Sequence, residues 1–480
     1  MQKTFTLLLC LFAALIAPAQ DAGYWHNDYG TGGYVTPGAV IASDNDSGFF
    51  YYNPAIMALH PKTSVAVSAN VYQYRNTRIR NAVGQGLPLR SREARIIPQL
   101  VSGTILLSRK NNLTVGYSLI NRPILDFQST QRQDKRMNVL DDSYSPGDEY
   151  YVGQYSARNN QNQTIGSIGA GFKLSPKLAV GITAEGQLLS QDLYQHTTSR
   201  ALFNTDSDAV IPPIASFQAD YDLSYWHVGI RFRAGLAYEA GRHHFGLLFT
   251  TPMISVKGRA ILNSDILISN VHLPDGGFTA NLLANGRQTG LPVKYKMPLS
   301  LAAGYAFDYG RGQCYLAAEY FPAVSHYLIV SPRNESFLRP DTGSNNAQTQ
   351  EFLEFSEERS SVLNLALGWS YQLNSDISLL ASLATNNTFI PRRPGEEDYS
   401  GQAPYILTWN TYNCQMGGQF RRQRLHVRAG LLLSYGRTGK YLQPVNFDTP
   451  KDRTFLNGQQ VRVPASTFAI GLMLSYIHNF

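Results

Sequence analysis

The chain ends Ala465-Ser-Thr-Phe468-Ala-Ile470-Gly-Leu472-Met-Leu474-Ser-Tyr476-Ile-His-Asn-Phe480, and the rest of the reading works outward from this stretch. Phe468, Ile470, Leu472, Leu474 and Tyr476 fall on one face of an extended chain. Ala469, Gly471 and Ser475 fall on the other, interrupted only by Met473 and Ile477. Side chains of a strand alternate with a period of two, so this segment has one greasy face and one of mainly small residues. A strand with lipid on one side and a lumen on the other needs that pattern. An edge strand of a soluble sandwich shares it, so the remaining chain has to decide.

At the amino terminus Lys3 precedes an apolar run from Phe5 to Ala17, followed by Ala17-Pro18-Ala19. A charged start, an apolar core and a small-x-small site make residues 1–19 a secretory signal peptide. The run is shorter than the roughly 20 residues a spanning helix takes. Leu9 stands where a lipoprotein signal before Cys10 would need a small residue. The full chain carries a net charge of +7, one less without Lys3, and no basic run suits nucleic acid. Cys314 and Cys414 fall in strands set apart from one another, which argues against a disulfide, and no spacing suits a metal or other cofactor. The 29 Tyr and 23 Phe match the aromatic girdles that barrels place at both membrane interfaces.

Fourteen segments read as strands, near 63–73, 98–108, 112–121, 164–174, 177–188, 221–239, 242–251, 293–307, 312–321, 359–373, 376–387, 404–420, 424–435 and 465–480. In 221–239, Trp226, Val228, Ile230, Phe232, Ala234, Leu236 and Tyr238 oppose His227, Gly229, Arg231, Arg233 and Gly235. Every odd-numbered connection is long. Every even-numbered one is tight and built from turn formers such as Ser175-Pro176, Ala240-Gly241 and Asn374-Ser375. Short periplasmic turns alternating with long outer loops are the habit of a membrane barrel. Its cause is that unpaired backbone groups in hydrocarbon cost several kcal/mol each, so the sheet must close. The expected fold is all-β, a 14-stranded antiparallel transmembrane β-barrel over residues 63–480. A further hairpin in 253–271 would make it sixteen.

Residues 20–62 lack this alternation. Phe49 to Tyr52 and Ile56 to Leu59 are apolar enough to need burial, and the lumen is the nearest place for them. Asn53 before Pro54 is held extended or in a turn, and Pro54 can open a short helix over Ala55 to Leu59. The segment therefore reads as an amino-terminal hatch within the lumen.

Here the chain resembles the FadL-like outer-membrane transporters of long-chain fatty acids and aromatic hydrocarbons. The resemblance rests on Gly38 to Ala42, Asp44 to Ser47, Phe50 to Tyr52 and the triplet Asn53-Pro54-Ala55, with Ile56 where that family usually has Gly. Tyr476 and the terminal Phe480 likewise resemble the assembly signal that the barrel-assembly machinery reads. The resemblance implies a cell outer membrane location in a Gram-negative bacterium, with lipopolysaccharide and outer-membrane lipids as neighbours. It also implies passive transport: a hydrophobic molecule adsorbs on outer loops, enters the barrel, displaces the hatch and leaves through a wall gap or into the periplasm. The apolar loop pieces Ile211 to Ile214, Leu262 to Leu267 and Phe337-Leu338 are candidate first contacts.

Arg231, Arg233, Arg424 and Arg428 are expected in the lumen, where they would either meet a ligand carboxylate or pair with Glu185 and Glu319. His243-His244, at a tight turn, is expected to be solvated. No nucleophile motif or phosphate loop is present, so an enzyme is not expected. Two alternatives stay open at this point: a FadL-like barrel acting as a secretion shuttle that grips exported proteins, and a general porin.

Overall fold

The computed structural model describes residues 23–25, 52–108, 113–204, 213–273, 278–339, 353–390 and 408–480. Residues 1–19, expected to be a signal peptide, the stretch Gly38 to Tyr51 of the expected hatch, and Ile211 lie outside them. After a one-turn helix, α1 (Ile56–Leu59), the described chain is almost entirely strand. The strands are β1 (Ser64–Ile79), β2 (Leu89–Ser108), β3 (Leu113–Met137), β4 (Glu149–Ser175), β5 (Leu178–Leu202), β6 (Ile214–Ala240), β7 (His243–Thr250), β8 (Ile254–Leu273), β9 (Phe278–Pro292) and β10 (Ser300–Asp308). They continue with β11 (Gly312–Phe321), β12 (Val324–Val330), β13 (Leu338–Arg339), β14 (Phe355–Arg359), β15 (Val362–Gln372), β16 (Ile377–Asn386), β17 (Thr411–Arg422), β18 (Leu425–Leu442) and β19 (Arg462–Asn479).

Fourteen of these, β1 to β7, β10, β11 and β15 to β19, pair antiparallel in sequence order, and β19 pairs back onto β1 to close the ring. The seam runs from Ser64 opposite Asn479 to Ile79 opposite Ala465, so the quoted terminal strand seals the cylinder. Closure removes both sheet edges, which is what hydrocarbon demands. Trp226, Ile230, Phe232 and Tyr238 of β6 face outward and are exposed, while Arg231, Arg233 and Ala237 face inward and are buried. Outward aromatics mark both ends of the apolar band. The chain is an outer-membrane type of β-barrel, as its alternation demanded.

Segment 253–271 is a strand, β8, and it forms a hairpin with β9. That hairpin does not enter the ring. β8 pairs with the outer part of β6, from Ile254 opposite Ile230 to Ser269 opposite Ser216, while β7 pairs with the inner part. The barrel count therefore stays at fourteen. The strand expected over 293–307 begins only at Ser300. The preceding stretch turns away to bond with β12, through Val293 opposite Val330 and Lys294 N–H to the Ile329 carbonyl at 2.9 Å.

The long loops expected after residues 73, 121 and 188 are a correction too. β1 and β2 run on to Ile79 and from Leu89; β3, β4, β5 and β6 stand far above the lipid band as one sheet, with β3–β4 paired without a break in sheet as far as Met137 opposite Glu149. In this outer half the polarity is inverted. Tyr221, Leu223 and Tyr225 of β6 point inward and are buried, and Ser224 and Asp222 point outward. A search for apolar-outward alternation misses such strands, because water rather than lipid bathes their outer face.

The inward faces close over a large apolar cluster that includes Tyr151, Tyr225, Tyr295, Phe355, Trp409 and Phe447. The segment 443–461 lies across it as a cap. Its ties are Tyr151 O–H to the Leu456 carbonyl at 2.9 Å, Ser199 Oγ to Asn457 Oδ1 at 2.7 Å and Lys451 Nζ to the Asn138 carbonyl at 2.9 Å. Tyr144 O–H donates to Asp452. Burial holds the Asp452 carboxyl above the usual carboxylate range.

Candidate functional site

Three levels of the interior and one place in the wall bear on function. At the periplasmic end, Gly171 of β4, Gly181 of β5 and Gly235 of β6 stand directly opposite one another on neighbouring strands, all facing inward. This row is a flat seat for the turn Asn53-Pro54-Ala55. A Cβ on Gly181 would lie 2.7 Å from the Pro54 carbonyl oxygen, one on Gly171 equally close at 2.7 Å, and one on Gly235 would collide with Asn53 Oδ1. Absence of side chains is therefore a packing requirement here. Asn53 holds the turn from both sides: its Nδ2 donates to the Leu236 carbonyl at 3.1 Å, and its Oδ1 accepts from Ala55 N–H at 3.0 Å. Ile56 to Leu59 are buried against Leu100, Ile120, Ile165, Ala179 and Ala237. His60 then reaches Glu239 at 2.7 Å. His244, expected to be solvated, is 9% exposed and bonds Asp308 at 2.8 Å, because β7 turns it inward; only His243 is exposed.

At mid-barrel, Glu185 is held by Arg231 Nε at 2.5 Å and Arg233 Nε at 2.7 Å, with all three side chains buried. Removing one partner from such a group leaves an uncompensated charge, so the cluster stands or falls together. Arg122 approaches from β3 and donates to Gln163 Oε1 at 2.8 Å. Arg428 is also in the lumen, but on β18, where its Nε donates to Gln419 Oε1 at 2.8 Å. Arg424 is not in the lumen. It is exposed in the tight β17–β18 turn beside Gln423, whose φ is 45°. The expected strand start at 424 was early, and that placed it on the wrong side of the turn.

Higher up, Gly23 to Trp25 dock on the opposite wall. Trp25 Nε1 donates to Glu319 Oε2 at 2.5 Å, and Trp25 N–H to Asn386 Oδ1 at 3.1 Å. The Tyr24 ring stacks on Phe321 with centroids 4.1 Å apart. The Arg359 guanidinium lies over Tyr24, Tyr295 and Phe389, and bonds Glu357 at 2.8 Å. The partner of Glu319 is thus an indole rather than an arginine. The sequence reading missed Tyr24, Trp25 and the Glu357–Arg359 pair; two adjacent aromatics among glycines were the only local signal.

The wall itself parts between β2 and β3. These strands pair from Ser108 opposite Leu113 up to Leu100 opposite Ile120 and no farther. Above that point β2 pairs only with β1, and β3 only with β4. Pro98 and Pro123 sit at the parting, and neither has an N–H to offer a ladder. The register of β3 on β4 slips beside Pro123 as well. The strands come together again through side chains, Arg90 N–H to Ser129 Oγ at 2.9 Å and Gln128 N–H to Ser91 Oγ at 3.2 Å. Over this parting lies a cleft of about 1320 Å³, lined by Arg95 and Asp126, that spreads along the outward face to Arg158 of β4 and Tyr194 of β5. Arg95 reaches across it, 2.7 Å from Glu93 on its own strand and 3.6 Å from Asp126 on the other. The cleft begins where the outward face of β3 changes from Leu119 to Asn121, at the outer edge of the apolar band.

Of the other named residues, Tyr476 faces outward near the periplasmic end of the seam, opposite Val67, and Phe480 donates its N–H to the Thr63 carbonyl at 3.0 Å while its ring is exposed. Of the apolar loop pieces, Leu262 and Phe337 are buried in the outer cluster, whereas Ile214 and Leu267 are exposed.

No protein-family model matches the sequence, and no curated protein does. Solved structures do. A Pseudomonas aeruginosa FadL homologue superposes with a TM-score of 0.58 at 13% identity, covering 95% of this chain and 100% of that one. The Pseudomonas putida toluene transporter TodX gives 0.55 at 14% identity, covering 93% and 96%. The Ralstonia pickettii toluene transporter TbuX gives 0.52 at 12% identity, covering 91% and 94%. Over more than nine-tenths of its length the chain has the fold of the FadL-like barrels.

Proposed function

We infer that this barrel conducts hydrophobic small molecules across the outer membrane by diffusion, with no energy coupling. The observation that carries the reading is the parted wall between β2 and β3. The ladder stops at the outer edge of the apolar band, the height at which a solute leaving the outer loops would have to pass between lumen and membrane, and the two prolines keep it from closing there. The fold shared with proteins described as toluene transporters supports transport rather than catalysis. A general porin fits less well, because the interior is occupied at three heights by packed side chains rather than by a water-filled bore.

In this reading residues 20–62 form the hatch. The seated turn Asn53-Pro54-Ala55 fixes one end of it, and the Tyr24–Trp25 dock fixes the other. The buried Glu185, Arg231 and Arg233 neutralise one another in part and serve mainly to hold β5 to β6. A carboxylate head group entering by the cleft would first meet Arg95, which can exchange Asp126 for the incoming charge. Long-chain fatty acids and small aromatic hydrocarbons are the substrate classes that suit an apolar interior reached past one cation.

The test is uptake into liposomes. Vesicles carrying the purified chain should take up oleate or toluene several-fold faster than vesicles carrying a hatchless control barrel of similar size. Equal rates for both solutes would overturn the reading.

A further inference from the structure

On the outward face of β18, β19, β1 and β2, just above the lipid-facing aromatics, the pairing sets Arg437, Ser466, Arg78 and Arg90 in one row. Arg437 stands opposite Ser466, Ser466 opposite Arg78, and Arg78 opposite Arg90. Neighbouring strands are about 4.8 Å apart, so the Arg78 and Arg90 side chains leave the sheet side by side. Like charges placed directly opposite destabilise a sheet. Among the described residues no carboxylate pairs with Arg78, Arg90, Arg92 or Arg437, and the Nε of Arg78 is buried without a hydrogen-bond partner. Arg80, Lys440 and Arg462, all exposed, extend the patch away from the membrane.

Directly beneath the row lie Tyr435 and Phe468, 49% and 41% exposed, then Leu433, Ile470 and Tyr74. What is particular to this side is a row of one sign. Around the ring, on β4, β5, β6 and β8, the outward residues above the apolar band mix signs, Arg158 and Arg259 with Asp192, Asp222 and Asp265. A general basic coat for the outer surface does not account for that asymmetry.

A row of arginines above a greasy belt matches a lipid whose head group carries more than one phosphate and whose tails descend along the wall. Guanidinium forks bind phosphate through paired N–H bonds and stay charged at every relevant pH. A lipid with a single phosphate would engage one end of the row and leave the other arginines crowded. We propose that this face binds a diphosphorylated, acylated disaccharide of the outer leaflet. One phosphate lies on Arg437 and the other on Arg78 and Arg90, with acyl chains over Tyr435, Phe468 and Leu433. The bound phosphates remove the repulsion that the empty row carries.

Native mass spectrometry of the detergent-purified chain, titrated with diphosphoryl lipid A, tests this. Wild type should retain one lipid per chain, and Arg78→Ala/Arg90→Ala/Arg437→Ala should need at least tenfold more lipid for equal occupancy. Monophosphoryl lipid A should fall between. A control with Arg136→Ala, Lys257→Ala and Arg287→Ala, all exposed elsewhere on the outer half, should bind as wild type does. Folding is checked by heat-modifiable gel mobility, and Arg90→Ala/Arg437→Ala replaces the triple variant if that fails to fold. Unchanged retention by the row variant, or equal weakening in the control, would overturn the proposal. So would inorganic phosphate alone displacing the lipid at equal concentration, which marks a free-anion site. None of these outcomes depends on what the barrel transports.

Discussion

β6 passes through two solvents, and its halves obey opposite rules. From Tyr238 to Trp226 the apolar side chains point out and the charged ones in; from Tyr225 to Tyr221 the apolar ones point in and Ser224 and Asp222 point out. The backbone and its pairing to β5 do not change along the way. The inversion shows that a barrel strand's polarity is dictated by what lies outside it. Lipid takes the apolar face in the lower half, and the only dry place left in the upper half is the centre.

The comparison breaks most readily at the outer core. Phe355 is fully buried there beside Tyr225, with ring centroids 6.2 Å apart. Phe355→Ala should cost about 3–5 kcal/mol, and the loss should fall on the outer half alone. Hydrogen exchange read by mass spectrometry should speed up in β12, β14 and the cap while β7 and β10 stay protected. Equal loosening of both halves would mean that they fold as one unit.

Outward positions should respond in the reverse sense. Ile182 on β5 is 57% exposed and faces lipid. Ile182→Arg should destabilise the barrel by about 2–4 kcal/mol in a bilayer. Asn162→Arg, outward on β4 above the band, should stay within about 0.5 kcal/mol. Urea titration in lipid vesicles measures both, and a similar cost at the two sites would contradict the boundary drawn between them.

A third substitution acts inside the lower half. Gly181→Val puts methyl groups where Pro54 rests, and crowding of that kind costs about 1–3 kcal/mol. The relief is for the turn to leave its seat, so single-channel conductance in a planar bilayer should rise. Gly186→Val, on the same strand but outward, would put its Cβ no nearer than 4.0 Å to the Gly166 carbonyl oxygen and should leave conductance unchanged.

The smallest effect belongs to the cap. The folded pKa of Asp452 lies above its ordinary value, so its contribution to stability is fully present below the unfolded value and is lost as pH rises through the folded one. Melting of wild type in detergent should therefore fall relative to Asp452→Asn between pH 4 and pH 7. A constant gap would mean that the carboxyl does not titrate in the cap.

These contrasts also account for how much was legible in the amino-acid order. The lipid-facing halves were plain, since Leu363, Leu365 and Trp369 of β15 announce their face by alternation, and the tight turns at Ala240-Gly241 and Asn374-Ser375 announce the periplasmic end. The upper halves of β3 to β6 read as loops because Asn159 to Gln163 carry no apolar side chain, though they pair without a break in sheet. Asn53-Pro54-Ala55 was visible as a motif, but its seat was not: Gly171, Gly181 and Gly235 become a row only once three strands are set in register. The same holds for Arg437, Arg78 and Arg90, which are far apart in the chain. Pro98 and Pro123 were in plain view and meaningless singly; set on neighbouring strands just beyond the last β2–β3 pair, they mark where the wall parts.

The direct test of that parting is to lock it. With Cys314 and Cys414 replaced by Ser, the pair Arg95→Cys/Asp126→Cys stands across the cleft where the native ion pair is 3.6 Å long. Closing it with a short bis-maleimide should reduce oleate and toluene uptake into liposomes at least tenfold, while either single cysteine treated alike keeps its rate. Undiminished uptake by the cross-linked barrel would show that the solute takes another road, and the functional account built on the split between β2 and β3 would fail.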